Sequence, residues 1–302
     1  MASLKEVKTR IQSVNSTRQI TSAMKMVSSA KLHKAQRAVN EFFPYQHKLN
    51  EILNNFLEYE KRDESKLFIP FSTEREVKKV AIVVVSSNTS LCGAFNSGVI
   101  KLLESTIEEY SYLGKENILV IPIGKKVSEY ACRLPNVLDK ELDEFVHKPN
   151  YEDIAQFADQ LSQMFLTGEV DKIEFIYQHF KTTTTQLLTR EIYLPFNISH
   201  EVSRLNEDDR RHHEQIEYEV NYVIEPGRQE LLDMLIPKVI RLKFYTVMLD
   251  SIASEHSART VAMQIATDNA DELLQSLKIQ YNKSRQQAIT NELLDIVGGS
   301  MQ

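Results

Sequence analysis

The chain has 302 residues, 42% of them apolar, and a net charge of −6, which is enough length and apolar content for a buried core in one to three domains. No run of 18 apolar residues occurs, so a transmembrane helix is not expected, and the start of the chain lacks an apolar signal core. Two cysteines, Cys92 and Cys132, 40 residues apart with no CxxC pair, argue against structural zinc and for a reducing compartment.

The first 43 residues contain neither glycine nor proline. Apolar residues at Leu4, Val7, Ile11 and Val14 follow the 3,4,3 spacing of a coiled-coil seam, which is expected to resume at Ile20, Met24, Val27, Ala30, Ala35, Ala38 and Phe42. Pro44 is a candidate kink. Apolar positions then continue through Leu49, Ile52, Leu53 and Phe56 before the charged stretch from Glu58 to Lys66. Residues 1–40 carry eight Lys or Arg and one acid, Glu6, whereas the rest of the chain is acidic. Such a basic arm has either an acidic partner or a solvated face.

Beyond it the period changes. Val80–Val85 is a continuous β-branched run and predicts a buried strand. Ser86–Asn96 reads as a loop, 99–112 as a helix, 118–123 as a second buried strand and 127–134 as a short helix. An amphipathic helix is expected at 151–166 and a third strand at 173–177. Strands alternating with helices predict an α/β layer with mostly parallel strands. Two more strand candidates, 191–196 and 216–223, flank a polar surface loop at 206–214.

Glu225-Pro226-Gly227 punctuates the end of this region, and Pro237 is expected to start or kink the next helix. From Lys238 to Val297 glycine and proline are again absent over 60 residues, and both are the residues a helix interior tolerates least. An apolar seam is expected at Val239, Leu242, Leu249, Ala253, Leu273, Leu277 and Ile289. Ala258, Ala262, Ala266 and Ala270, preceded by Ser254, share one helix face. That stripe is expected to lie against Ala23, Ser28, Ala30, Ala35 and Ala38 of the N-terminal helix. The fold class is therefore α/β plus a long antiparallel coiled coil of the two terminal segments, with a Rossmann-like central domain. Its divisions fall at 1–60, 61–224 and 225–302. The longer C-terminal helix should protrude as a lone tip around 282–299.

Catalytic chemistry finds little support. The Ser86–Asn96 loop sits where phosphate loops sit, but has neither GxGxxG nor GxxxxGK[ST]. Cys92 near a helix start is a candidate nucleophile, set against the reading of a small packed cysteine. His212-His213 beside Asp208, Asp209 and Glu214 lacks the spacing of a rigid metal site, and His256 has an exposed or helix-facing role by default. Residues 1–41 lack the aromatics that single-strand nucleic-acid binding interleaves with charge. No catalytic residue, cofactor or metal ligand is assigned.

Two segments are more specific. Residues 20–28, Ile-Thr-Ser-Ala-Met-Lys-Met-Val-Ser, resemble the N-terminal helix signature of the ATP synthase gamma subunit family. Ser254-Glu255-His256-Ser257-Ala258-Arg259 and residues 281–293, Tyr-Asn-Lys-Ser-Arg-Gln-Gln-Ala-Ile-Thr-Asn-Glu-Leu, resemble its C-terminal helix, and Leu91–Asn96 matches in the middle. The resemblance implies a non-catalytic rotary shaft inside a ring of alpha and beta subunits, resting with the epsilon subunit on the membrane ring of c subunits. Nucleic acid is not among the implied partners, and the membrane is met only through other subunits. Arg285 and Gln286 are implied to catch a beta-subunit loop, with Met24 and Lys25 facing the same loops or tuning coupling. The family often has an acid, a base and glycine before Leu-Cys-Gly, where this chain has Asn88-Thr89-Ser90, and Ala94 replaces a usual second glycine. No cysteine-bearing chloroplast insertion is present, and a bacterial protein on the cytoplasmic face of the inner membrane is expected.

Overall fold

A computed structural model describes residues 4–62, 69–138, 140–196 and 227–300. The expected strand at 216–223, the polar loop at 206–214 and His212-His213 lie outside these residues. Two helices dominate. The first, α1, spans Leu4–Arg62, and the last, α6, spans Arg228–Ser300. At 1.5 Å per residue these are rods of about 90 and 110 Å. Both are longer than the glycine- and proline-free stretches predict. The helix α1 runs on through Pro44, and α6 begins nine residues before Pro237 rather than at it. Pro237 sits in the third turn, beside well-packed neighbours Ile236 and Val239, and there packing outweighs the cost of one lost backbone hydrogen bond.

Between the rods in sequence lies a four-stranded sheet in the order β2-β1-β3-β4. Strands β1 (Val80–Val85), β2 (Ile118–Ile123) and β3 (Lys172–Phe180) are parallel. Their Val and Ile runs are buried on both faces, as a helix-covered parallel sheet requires. The fourth strand, β4 (Gln186–Leu194), returns antiparallel from β3. It starts five residues before the apolar stretch at 191–196 suggests, because its first half sits at the sheet margin and carries polar Thr189 and Arg190.

One face of the sheet, through Val80, Ile82, Val84 and Ile176, packs on α2 (Phe95–Glu109) and α3 (Lys125–Ala131) via Val99, Leu103, Val127 and Ala131. The short α4 (Glu144–His147) follows. The other face, through Val83, Ile121, Phe175 and Tyr193, packs on α5 (Tyr151–Leu166) and on the lower halves of α1 and α6. Asn150 caps α5 by accepting from the Glu152 amide, which accounts for its agreement with the expected 151–166 span. The joint between body and rods centres on Phe244 of α6, which stacks on Phe175 at 5.1 Å. There the buried Tyr193 hydroxyl donates to the Ile240 carbonyl at 2.9 Å.

Candidate functional site: a two-helix shaft and its tip

From the body upward α1 and α6 run antiparallel. Thr246 Oγ1 donates to Gln46 Oε1 at 3.2 Å, Thr267 Oγ1 donates to Thr21 Oγ1 at 2.9 Å, and Arg18 pairs with Asp271 at 3.0 Å. As numbers rise in α1 they fall in α6. The heptad holds with notable regularity on α1: Val7, Ile11, Val14, Arg18, Thr21, Ser28, Leu32, Ala35, Phe42, Leu49, Leu53 and Phe56 all lie on the covered or partly covered face. On α6 the matching positions are Met263, Thr267, Ala270, Leu274 and Leu277.

This corrects part of the expected seam. Ile20, Ala23, Val27 and Ala30 are exposed, as are Leu273 and Ile289. The strict 3,4 alternation passes through polar Arg18, Thr21 and Ser28, so following apolarity alone steps onto the outer face. The periodic signal was present at Arg18 and Thr21 but was carried by side chains that pair across the seam. The alanine stripe is likewise shared. A Cβ at Gly93 would lie 3.9 Å from the Ala262 methyl, so Ala262 meets the β1–α2 loop, and Ala258, Ala262 and Ala266 are only half-buried.

The register places Leu4 opposite about residue 285. From there α6 continues to Ser300, past the register of α1, a projection of about 24 Å at 1.5 Å per residue. Its side chains from Arg285 to Leu294 are all exposed, including Ile289, Leu293 and Leu294; Leu294 is 64% and Ile296 64% exposed. A row of exposed large aliphatics of this extent marks a surface that another protein covers. Arg285 and Gln286 stand exposed at the base of this tip. Met24 and Lys25 are half-buried on α1, opposite about residue 264 and so roughly 30 Å down the axis. The structure does not bring the two pairs together within this chain.

The other candidates resolve as packing. Cys92 is 1% exposed, and its sulfur accepts from Asn96 Nδ2 at 3.2 Å and lies 3.7 Å from Ser87 Oγ. No imidazole is among these contacts. The densest ionic cluster surrounds Glu174 in β3. Burial pushes its carboxyl up, but hydrogen bonds from Arg190 (2.7 Å), Lys172 (2.7 Å) and Tyr110 (2.8 Å) outweigh burial and hold it below the usual carboxylate range. Arg190, Lys172 and Tyr110 are all tied to Glu174, and Arg190 also to Glu109. Among the described residues no group of three metal-ligating side chains occurs.

Reading by apolarity alone passes over a further set. Ser251, Ser254, Glu255, Ser257 and Arg259 of α6 are buried polar residues in a helix encircled by α1 and the body. His256 lies among them, and its buried Nδ1 has no hydrogen-bond partner in this structure. Burial, then the nearby charges of Lys31 and Arg259, lower its pKa from 6.5 to about 4. The unfolded chain therefore takes up this proton first as pH falls. The His256 contribution to stability is full above pH 6.5, is lost between about 6.5 and 4, and amounts to at most about 3 kcal/mol. Urea unfolding at pH 7.5 and 4.5 should show a larger acid loss for the wild-type chain than for His256→Gln. Equal losses would mean that the imidazole is freely hydrated.

An α/β base bearing a long two-helix shaft with an exposed apolar tip is the class of protein that the fold defines. The comparisons agree with that class. The ATP synthase family model matches residues 3–301. The ATP synthase gamma chain of Bacteroides thetaiotaomicron is 54% identical, with both chains covered completely, and that of Flavobacterium johnsoniae is 45% identical over 99% of this chain and 98% of its own. The chain belongs to the ATP synthase family, in the company of its gamma chains. Among solved structures, a chain of the Euglena gracilis mitochondrial ATP synthase matches with a TM-score of 0.61 at 18% identity, covering 99% of this chain and 93% of that one. A chain of the Tetrahymena thermophila central stalk and c-ring gives 0.53 at 20% identity, covering 82% and 99%.

Proposed function

We propose that this chain is the central shaft of a rotary ATP synthase and that it catalyses nothing itself. Its tip and upper coiled coil turn inside the ring of alpha and beta subunits. Its α/β body rests, beside the epsilon subunit, on the membrane ring of c subunits. In this reading ion flow turns the c ring and the shaft together, and the off-axis shaft drives the three catalytic sites of the beta subunits through different shapes in turn. The divisions are a 1–60 helix, a 61–224 body and a 225–302 helix. The protein lies on the cytoplasmic face of a bacterial inner membrane, held there by its partners, and no helix among the described residues is long and apolar enough to cross the bilayer.

The observation that carries this reading is the antiparallel register that takes α6 past the start of α1 and leaves apolar Ile289, Leu293 and Leu294 exposed there. A seam-packed pair resists fraying where an isolated helix does not, as torque transmission demands. Arg285 and Gln286 hold a beta-subunit loop at the base of the tip, and Met24 and Lys25 face the moving loops lower on the shaft. Charged hydrogen bonds at the catch contribute about 1.5–3 kcal/mol each. Arg285→Ala should therefore weaken co-purification of the chain with alpha and beta subunits, or lower ATP-driven ion pumping. Full assembly together with normal pumping would remove the catch role. The shaft reading itself requires that the purified complex contain three alpha and three beta subunits for each copy of this chain.

A further inference from the structure

Between Asp250 and Ala262 the helix α6 is gripped from two sides by loops of the body. On one side, Asp250 accepts from the Phe180 amide at 2.9 Å and meets His179 Nδ1 at 2.5 Å. On that side also, Ser257 Oγ donates to the Thr183 carbonyl at 2.6 Å and accepts from Gln186 Nε2 at 3.2 Å. On the other, the guanidinium of Arg259 pairs with Glu255 at 2.6 Å and donates to the carbonyls of Ser90 and, at 3.4 Å, Thr89. Gly93 rests against Ala262. The loop so held keeps Leu91 at φ 69° and Gly93 at φ 60°, and leucine disfavours the left-handed region, so the contacts around it must fix its shape.

Stability alone does not require this arrangement. A buried ion pair replaced by apolar side chains is often neutral or favourable, and the apolar joint lower down, around Phe244, already binds body to shaft. Apolar packing is non-directional, however, and leaves the angle between the two parts weakly defined. Hydrogen bonds are directional. We propose that Arg259 is a positioning residue which, with Ser257 and Asp250 opposite, forms a collar fixing the rotational angle between the α/β body and the shaft. Torque entering at the body then reaches the coiled coil without slip. This rests on the shaft reading above.

The test uses the reconstituted membrane complex, with ATP hydrolysis and ATP-driven ion pumping measured together. Arg259→Ala should leave hydrolysis within about twofold and lower pumping per ATP several-fold. Arg259→Lys, which keeps the charge but not the fork that serves Glu255 and two carbonyls, should fall between. A disulfide restores the lost tie: in a Cys92→Ser, Cys132→Ser background, Gly93→Cys with Ala262→Cys brings the Cβ atoms to about 3.9 Å, inside the range disulfides span. Oxidation of that pair should return pumping per ATP in Arg259→Ala to within twofold of wild type, and reduction should remove it again. Unchanged pumping per ATP in Arg259→Ala would overturn the collar. So would a formed disulfide that restores nothing. If Arg259→Ala does not assemble, unchanged coupling in Arg259→Lys overturns it equally. Normal pumping after breaking the shaft itself, as in the Gly-Pro variant described below, would instead remove the shaft reading on which the collar stands.

Discussion

Gly-Pro in place of Ala253-Ser254 should uncouple ATP hydrolysis from ion pumping: hydrolysis persists, and pumping falls to a small fraction of the wild-type rate. Both positions are buried, with Ser254 wholly covered. Proline there removes a backbone hydrogen bond and sets its ring against the preceding turn, at a cost of about 3 kcal/mol or more, and glycine adds about 1. The natural prolines of the rods show where such a break is tolerated. Pro44 and Pro237 both lie at the level of the body, where sheet and α5 brace the helices, and the upper pair has none until the tip ends. A hinge at 253–254 would fall inside the gripped segment and break the rod between the joint at Phe244 and the free coiled coil, so the body could turn without the tip following. Pumping and phosphate release measured on the same membranes decide the point. Normal pumping by an assembled variant would show that stiffness is not what the long helices supply.

Much of this architecture is legible in the sequence, and for physical reasons. The absence of glycine and proline announces the rods, because no other fold class needs 60 residues without a break. The β-branched runs at 80–85 and 118–123 announce buried parallel strands. The tip follows from helix lengths alone, and its exposed Ile289 and Leu293 confirm that the C-terminal helix outruns its partner. What misleads is polarity inside a packed helix. Arg18, Thr21 and Ser28 hold the seam by pairing across it or by being small, and Ile20 and Val27, though more apolar, face outward. In α6 Glu255 and Arg259 are spaced i,i+4 and both are buried. Their loop partners, Thr89 and Ser90, lie about 170 residues away in the chain. A spacing rule sees only the helix, and these contacts depend on where the β1–α2 loop comes to rest. Beyond the seam, the outward apolar residues on the tip and the inward polar residues of the gripped segment are further places where local pattern and environment disagree.

Phe244→Ala should destabilise the chain more than any other single truncation at the joint. The ring is wholly buried. It stacks on Phe175 at an interplanar angle of 22° and also contacts Phe157 at 5.9 Å and Tyr193 at 6.1 Å. One side chain thus ties α6 to β3, β4 and α5. Removing it leaves a cavity bounded by three aromatic rings that the rigid sheet cannot collapse to fill, and such truncations cost about 3–5 kcal/mol. For a chain of this size that corresponds to a fall in melting temperature of roughly 10 °C. Phe244→Leu, which keeps most of the volume, should lose markedly less. Thermal unfolding of the three proteins side by side tests the ranking. The functional consequence differs from that of the collar. Loss of Phe244 loosens the joint along its whole contact and lowers the amount of assembled complex, whereas loss of Arg259 leaves the joint intact and frees only its angle. If Phe244→Ala melted with the wild-type chain, the body would be held to the rods chiefly by its directional contacts, and the division of labour between apolar joint and polar collar would have to be reversed.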